Sequence, residues 1–591
     1  MKTILLYSIL FISFTLNAQD FEWVTQHSTA NESWTVSSTI DANNNIISVG
    51  EFDGTIDLDP SPNATANFTS LAPNGKNVFV QKLDENGDYI WGLRIGSGIG
   101  APFPKKVIVD NNNDIIIVGN FLSTQSFNPN GNYYLTSNGG YDGFIAKYSG
   151  ADGSFIWAMQ LGGTAYDSIK DVAIANDFET NINHNTFVVV GGFSETVNFN
   201  PLGSSLNITS NGDLDIFAMK YDASNGHLLF DYVVGGTGAD FATSVDIKNE
   251  LPSSNLYENV ILTGQFNSDS NGIDFAYSNT EDFIIAPTEN YPFITLLGTN
   301  FNYIRTNTID ISDTLTKDYK IAFSDFGLNF YVTGNFEGEI ALHNNQIENL
   351  TFFDQTVAGA FVLQGNINSS NFIYSGMSIL GDTYIKPKDL IVRNTNAYLL
   401  GNVEGQNNIM YNGNVIGNIS SSSMKDIFLL SFGTNFNLFF NSVFGGIGND
   451  LAYSIDGYIP DYQSSSYGYF SISGSFQNTV DFDLSTDVNE LTANGNIDGY
   501  TLKLNSGSPT TGILNNELMN ISVYPNPTTD VVTFKSDEII KTITIYDIQG
   551  RKILQTKPID NQISIAHLNK GIYFLKTKIN GKIATKKIIK K

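Results

Sequence analysis

The chain contains no cysteine, which excludes disulfide bonds and thiolate metal sites. Stability therefore has to come from apolar burial and from backbone pairing. Charged residues make up only 15% of the chain. Beyond the N-terminal residues, no apolar run approaches the roughly 20 residues that a membrane-spanning helix needs. The histidines have no metal-ligand spacing, which predicts surface or packing roles for all of them: His27, His184, His227, His343 and His567.

Sequence motifs for catalysis are also missing. No Gly-x-Ser-x-Gly elbow, phosphate-binding loop or zinc motif occurs. Residues 96–100 are glycine-rich and could suggest a phosphate-binding loop. Gly235-Gly236 and Gly445-Gly446 occupy the equivalent place in other copies of a sequence repeat, which indicates a turn between strands instead. Paired carboxylates can hydrolyse glycosidic bonds, but with 59 acidic residues the sequence singles out no pair.

The residues that are abundant favour short strands joined by polar turns. The chain has 53 glycines, 42 phenylalanines and 28 tyrosines, with many Asn, Ser and Thr. Its 591 residues exceed what one ordinary core fills, so several domains or a repeat architecture is expected.

The first residues predict a secretory signal peptide over 1–18. Lys2 gives a positive start, the stretch 4–16 is apolar, and cleavage between Ala18 and Gln19 follows a small residue. A membrane anchor is the alternative, but the apolar stretch is too short to span a bilayer.

The formal net charge is −28, and it is unevenly distributed. From Glu517 onward basic residues outnumber acidic ones, 13 to 6, so the preceding part is more acidic than the whole. Such a surface repels phosphate backbones, and no nucleic-acid partner is expected.

A short apolar strand that ends in Gly-x-Phe recurs every 67 to 73 residues. Its copies lie at Gly50-Glu51-Phe52, Gly119-Asn120-Phe121, Gly191-Gly192-Phe193, Gly264-Gln265-Phe266, Gly334-Asn335-Phe336 and Gly474-Ser475-Phe476, with a weaker copy at Gly401-Asn402-Val403. A later aromatic strand also occurs seven times, but the last strand of the repeat occurs only six times. The N-terminal segment Phe21-Glu22-Trp23 is predicted to supply the missing one.

The repeat, with its missing last strand supplied from the N-terminus, predicts an all-β fold. This fold is a seven-bladed β-propeller over 19–505 that is closed by the N-terminal strand. The alternative, a string of separate β-sandwich domains, is disfavoured because about seventy residues is short for a sandwich. Long loops in such a repeat tend to collect on one face, which is the default binding surface. The first copies resemble the repeats of bacterial seven-bladed β-propeller proteins, in features such as Val49-Gly50-Glu51-Phe52 and Asp57-Leu58-Asp59-Pro60.

A linker is predicted over 506–519, and a small antiparallel β-sandwich over 520–591. Tyr524-Pro525-Asn526-Pro527, a turn with Asp547 and Gly550, Gly571 with Tyr573, and a basic C-terminal end are its landmarks. Together they resemble the type A C-terminal sorting domain of the type IX (Por) secretion system in Bacteroidetes. The resemblance implies export across the outer membrane by that machinery, removal of the domain, and either release or attachment to surface lipopolysaccharide.

Asp110, Asn112 and Asp114 are weak candidates for a calcium site, because their oxygens alternate along a loop. The same residues also suit a turn between two strands. No other cofactor is expected.

The sequence favours a non-catalytic binding or adhesion protein at the cell surface or in the medium, with a glycan or protein ligand that it does not identify. A secreted enzyme that degrades polysaccharide or peptide is the alternative, because one fold hosts many functions. A structural role in the cell-surface layer is the third possibility.

Overall fold

The computed structural model describes residues 20–505 and 522–591, apart from 72–74, 98–99, 176–184, 249–258, 268–271, 277–281, 314–317, 326, 345–346, 353–357, 370–371, 382–383, 394, 422–423, 459–467, 486, 536–542, 547–551, 559–560 and 580–581. All regular secondary structure in these residues is β-strand. No helix within them could cross a membrane. The chain divides into two compact units, one ending at Gly507 and the other beginning at Ser508.

The described strands of the first unit include seven large antiparallel sheets, which we number as blades 1 to 7. From the inner to the outer strand they are Ser33–Ile40, Ile46–Phe52, Asn77–Leu83 and Tyr89–Ile95 (blade 1); Pro102–Val109, Ile115–Phe121, Asp142–Tyr148 and Phe155–Leu161 (blade 2); Ser168–Ile174, Thr186–Phe193, Asp215–Asp222 and Leu228–Val234 (blade 3); Phe241–Lys248, Asn259–Phe266, Tyr291–Leu297 and Tyr303–Thr308 (blade 4); Lys320–Phe323, Asn329–Asn344, Ala358–Asn366 and Ile373–Gly381 (blade 5); Ile385–Arg393, Asn396–Val403, Asp426–Phe432 and Leu438–Phe444 (blade 6); Leu451–Tyr458, Tyr469–Phe476, Asp498–Asn505 and Asp20–His27 (blade 7).

Blade 5 departs from the four-stranded pattern because both its long second strand and its outer strand pair with additional strands. The enlarged sheet has eight strands, the added ones being Asp310–Asp313, Ile347–Phe352, Gln406–Tyr411 and Asn414–Ser420. Five other blades carry a small hairpin between their second and third strands: Thr55–Asp57 with Asn67–Thr69, Thr124–Ser126 with Tyr134–Thr136, Thr196–Asn198 with Asn207–Thr209, Ile273–Asp274 with Phe283–Ile284, and Thr479–Asp481 with Glu490–Thr492.

The blades form a closed ring. Each inner strand packs against the inner strand of the next blade, and the inner strand of blade 7 packs against that of blade 1. The outer strand of blade 7 is Asp20–His27, which pairs antiparallel with Asp498–Asn505 from the other end of the unit. The indole Nε1 of Trp23 donates a hydrogen bond to the carbonyl oxygen of Glu85 in blade 1, at 3.1 Å. The first unit is therefore a β-propeller, as the sequence predicted.

The glycine of every Gly-x-Phe anchor except Gly334 is required by a close approach of backbone. A Cβ on Gly50 would lie 2.0 Å from the carbonyl oxygen of Trp34, and one on Gly474 would lie 1.9 Å from that of Leu451. In both blades the inner strand has a register shift at this point, as a β-bulge produces. The repeated glycine thus marks the place where the inner strand bends over its neighbour.

In blades 2, 3, 4 and 7, the phenylalanine of the anchor belongs to a buried group of three aromatic rings inside the blade. In blade 3, Phe193 lies 5.1 Å from Phe199 and Phe199 lies 5.2 Å from Phe217, as measured between ring centroids. The tilted and edge-on geometries are those that aromatic pairs prefer. Equivalent groups occur at Phe121, Phe127 and Phe144; at Phe266, Phe275 and Phe293; and at Phe476, Phe482 and Tyr500.

The inner strand is an edge of its own sheet, and the preceding blade satisfies part of its backbone. The Asp171 carboxylate accepts a hydrogen bond from the amide of Val245 at 3.2 Å, and that of Asp389 accepts one from Ile455 at 3.0 Å. In blade 2, the Asn120 amide accepts from the Ile169 N–H at 2.8 Å and donates to its carbonyl at 3.2 Å. Side chains therefore continue the hydrogen bonding from blade to blade.

His27, at the end of the closing strand, is fully buried between blades 7 and 1. Its Nδ1 lies 2.7 Å from the Thr35 hydroxyl and its Nε2 lies 2.7 Å from Gln81 Oε1. Because the Gln81 amide nitrogen donates to Leu58, its Oε1 is an acceptor and His27 carries its proton on Nε2. Burial lowers the pKa of His27 to about 4, against the opposing effect of the Gln81 hydrogen bond.

We expect His27 to make the fold sensitive to acid. Its folded pKa lies below the unfolded value of about 6.5, so its stabilising contribution is complete above pH 6.5 and falls as pH drops toward 4. The loss should reach about 3 kcal/mol at about 1.4 kcal/mol per pH unit. Urea unfolding of the wild type and of His27→Gln at pH 7 and pH 4.5 should show the difference between them shrinking by about that amount. A difference that stays constant across this range would contradict the assignment.

The second unit has two antiparallel sheets that share one hydrophobic core. The strands are Ser522–Tyr524, Val531–Lys535 and Gln562–Ser564 in one sheet, and Lys552–Thr556, Ile543–Tyr546, Gly571–Ile579 and Lys582–Lys590 in the other. Val532, Phe534, Ile545 and Ile588 are among the buried core residues. Alternation of apolar and polar residues along these strands produces the shared core.

Candidate functional site

One end of the ring carries the long connections. The inner and third strands of every blade begin at this end, so the loops between second and third strands lie here, at 53–76, 122–141, 194–214, 267–290, 404–425 and 477–497. The connections at the opposite end are shorter, from turns such as 41–45, 84–88 and 110–114 to the longer connections 175–185, 249–258 and 459–468. We call the first end the loop face, and the opening of the central channel on it the mouth.

Aromatic side chains that are not fully buried surround the mouth. They come from the starts of inner strands and from the loops beside them: Trp34, Phe103, Tyr141, Tyr166, Phe241, Tyr384 and Tyr453. Three of them are in contact, since Tyr141 lies 5.6 Å from Phe103 and 6.1 Å from Tyr166 between ring centroids. Tyr166 is 45% exposed. Partly exposed rings at the centre of a loop-bearing face are typical of a recognition surface.

Lysines accompany these aromatic rings. The ammonium nitrogen of Lys76 lies 3.7 Å from the Trp34 ring centroid, and that of Lys425 lies 4.2 Å from the Tyr384 ring. Longer contacts join Lys170 to Phe241, at 5.5 Å, and Lys388 to Tyr453, at 6.0 Å. Cation–π pairs of this kind hold the ring faces and the charges in fixed relative positions.

Two acidic residues at the mouth pair with lysines. Lys386 Nζ lies 2.7 Å from an Asp318 carboxylate oxygen, and Lys76 Nζ lies 3.7 Å from Glu51. Burial raises the pKa of Glu51, although Lys76 and Lys105 act against this effect. Burial opposes ionisation of Asp318 as well, but Lys386 outweighs it and holds the pKa of Asp318 below its ordinary value.

Below the mouth, the channel contains an ion pair between neighbouring blades. Lys106 Nζ lies 2.8 Å from Asp171 Oδ1, and the Lys106 side chain keeps 31% of its surface accessible. Burial opposes ionisation of both groups, but Asp171 raises the pKa of Lys106 above its usual range, and Lys106 lowers that of Asp171. Both groups are therefore charged at neutral pH, and they connect blades 2 and 3.

Carboxyl groups with raised pKa values recur around the loop face. Burial raises the pKa of Asp167 and Asp450 to about 6 and that of Asp240 to about 7. Asp240 accepts hydrogen bonds from the amides of Gly236 and Asn267, both at 2.7 Å, and the other two carboxylates accept equivalent pairs. Because the same arrangement repeats from blade to blade, these carboxylates hold the turns that precede the inner strands.

The calcium candidates lie at the opposite end of the ring, where a lysine faces them. Lys147 Nζ lies 2.7 Å from Asp110 Oδ2 and 3.1 Å from Asp114 Oδ2, with Lys147 and Asp110 almost completely buried. The other Asp110 oxygen accepts hydrogen bonds from the Asn112 and Asp114 amides, at 2.8 and 2.9 Å. An ammonium group thus provides positive charge at the point where calcium binding was expected, and calcium binding stays a prediction.

Lys147 also donates to the carbonyl of Ala223 in the next blade, at 2.9 Å. In blade 1, Lys82 makes the same two contacts. Its Nζ lies 2.8 Å from Asp41 Oδ2 and donates a hydrogen bond to the Gly150 carbonyl in the next blade, at 2.7 Å. The third-strand lysine is therefore a repeated connection between blades, which the sequence patterns did not predict. Its signal in the sequence is a lysine of the third strand recurring beside the aspartate of an Asp-Asn turn.

We expect Lys147→Met to lower the free energy of unfolding by about 3–5 kcal/mol, because it leaves Asp110 buried without its charge partner. Lys76→Met is a matched control, since the Lys76 side chain is 37% exposed and its longer ion pair should contribute less than about 1 kcal/mol. Urea unfolding of the two variants measures both effects. Equal small losses of unfolding free energy in the two variants would contradict a stabilising role for the Lys147 connection between blades.

In the second unit, the motif 524–527 contacts the last strand. Asn526 Oδ1 accepts a hydrogen bond from the Ile589 amide at 2.9 Å, and the Thr528 amide donates to the Ile589 carbonyl at 2.9 Å. The Tyr573 hydroxyl donates to the Asn569 carbonyl at 2.9 Å, just before Gly571 begins its strand. Asp547, Gly550 and the expected cleavage site at Ala18 and Gln19 lie outside the described residues.

Residues 522–591 match the family described as the secretion system C-terminal sorting domain, Por_Secre_tail. This confirms the resemblance seen in the sequence. The chain is thus a secreted protein that carries a sorting domain for type IX secretion, which exports it to the cell surface or the extracellular space. More particularly, it is a β-propeller protein that interacts with the type IX machinery through this domain.

Two curated relatives match short parts of the chain. One is an uncharacterized WD repeat-containing protein, L264, of Acanthamoeba polyphaga mimivirus, 28% identical over 131 residues, which are 22% of this chain and 9% of that protein. The other is beta-agarase D of Zobellia galactanivorans, 34% identical over 70 residues, 12% of this chain and 14% of that protein. The chain therefore spans only a small fraction of the length of either relative.

Solved structures resemble the chain at 10% identity. Quinohemoprotein alcohol dehydrogenase from Comamonas testosteroni has a TM-score of 0.35, with 82% of this chain and 76% of that chain covered. PorZ, a surface component of the type IX secretion system of Porphyromonas gingivalis, has a TM-score of 0.13, with 96% and 100% covered. Likeness at this level carries no information about activity.

Proposed function

We propose that the chain is a non-catalytic binding or adhesion protein, carried to the cell surface or beyond by its sorting domain, with the loop face as its binding surface. The observation that supports this function most directly is the position of the mouth residues. The longest connections, partly exposed aromatic rings and fixed lysines lie together at one end of the ring, whereas the connections at the other end are shorter. Rigid blades with variable loops at one end suit recognition of an external ligand.

Export depends on the second unit in this proposal. We expect removal of Ser522–Lys591 to leave the propeller in the periplasm, because the export machinery then has no domain to recognise. Immunoblots of periplasmic, surface and medium fractions from the native host measure this outcome. A chain that lacks only the basic end, 586–591, tests whether the last strand, which contacts the motif 524–527, is needed for recognition. Unchanged export of both shortened chains would contradict the role of this unit.

Binding can be assigned to one face with single cysteines, because the chain has none of its own. Tyr166 lies on the loop face and Tyr458 on the opposite face, and both are 45% exposed. We expect a polyethylene glycol–maleimide attached at Tyr166→Cys to abolish binding on an array of extracellular glycans and matrix proteins. The same group at Tyr458→Cys should leave binding unchanged. Equal effects at both sites, or an effect only at Tyr458→Cys, would contradict a binding role for the loop face.

A further inference from the structure

The basic residues of the first unit are few and concentrated. Of 31 lysines and arginines, 13 lie from Glu517 onward and one is Lys2, which leaves 17 for the propeller. Eight of these are at the mouth or in the channel directly below it: Lys76, Lys105, Lys106, Lys170, Lys320, Lys386, Lys388 and Lys425. An otherwise acidic unit thus places about half of its positive charge at one opening.

These lysines are close enough to repel one another. Burial lowers the pKa of Lys105, and the neighbouring Lys170 lowers it further. Burial lowers the pKa of Lys388 to about 8, and Lys386, Lys320 and Lys425 act in the same direction, opposed by Asp318. An anionic group placed among these side chains would relieve this repulsion.

The aromatic rings favour a sugar chain over a simple anion. Tyr141, Phe103 and Tyr166 form a contiguous aromatic group beside Lys105 and Lys170 at the mouth. A flat ring packs against the C–H-bearing face of a pyranose, while ammonium groups bind charged substituents on the same chain. A densely charged nucleic acid suits the surface less well, because the acidic remainder of the unit would repel it.

We propose that the mouth binds a carbohydrate chain that carries sulfate or carboxylate groups. This rests on the proposed function, because it names the ligand class of the same surface. Lysines supply the contacts to the anionic substituents, the aromatic rings supply the contacts to the sugar rings, and the surrounding negative charge selects for a sparsely charged polymer.

The test uses the full chain from Gln19 to Lys591 and four probes: κ-carrageenan oligosaccharides for sulfate, hyaluronate for carboxylate, neutral agarose oligosaccharides, and single-stranded DNA. The mouth variant combines Lys105→Gln, Lys170→Gln and Lys388→Gln. Its matched control changes three exposed lysines of the second unit, with Lys552→Gln, Lys557→Gln and Lys570→Gln. Calorimetric titration gives the dissociation constants, and thermal unfolding reports folding. If the triple variant fails to fold, Lys105→Gln replaces it, because Lys105 is the most solvent-accessible of the three lysines.

We expect at least one acidic polymer to bind and the mouth variant to weaken that binding by more than about tenfold, since charge-assisted hydrogen bonds are lost. The control variant should stay within about twofold, and a sulfate or carboxylate source is distinguished by which polymer binds. The proposal is overturned if neither acidic polymer binds, if only the control variant weakens binding, or if DNA binds as tightly. Binding of neutral oligosaccharide alone would overturn it while leaving the proposed function intact.

Discussion

The fold depends on satisfying the inner edge of every blade. An inner strand has only one neighbour in its own sheet, so its other backbone groups need partners in an adjacent blade. Asp171, Asp389 and Asn120 supply such partners from the preceding blade. A linear array would leave the first and last inner edges without a neighbour, whereas a closed ring leaves none.

Closure of the ring also requires that the two ends of the first unit meet in one sheet. Asp20–His27 provides the outer strand of blade 7 while the other three strands come from the far end of the unit. Opening the ring would therefore break a ladder within a sheet as well as a contact between sheets. Lys82 and Lys147 also connect neighbouring blades, at the end of the ring opposite the loop face. Each donates a hydrogen bond to a carbonyl group of the following blade. These charged groups therefore hold neighbouring blades together.

The two units divide the work of an exported protein. The propeller is acidic apart from its mouth, and the sorting domain is basic with a motif that contacts its own last strand. Export recognition and the proposed ligand binding thus use different surfaces with different charge. The loops of the propeller can vary without affecting the strands that hold the ring, since the anchors of the Gly-x-Phe repeat lie inside the blades.

The sequence by itself determined the all-β class, the propeller repeat and the sorting domain, because Gly50 and its equivalents, the buried phenylalanines and the motif 524–527 are local patterns with fixed spacing. Only the tertiary structure decided which charges meet. Lys147 is far from Asp110 in sequence yet pairs with it, so a loop that reads as a calcium ligand set faces an ammonium group. The mouth lysines are scattered over most of the chain and become neighbours through ring closure, which brings the starts of all inner strands to one opening. Electrostatic interactions depend on distance in space, and no local pattern records that distance.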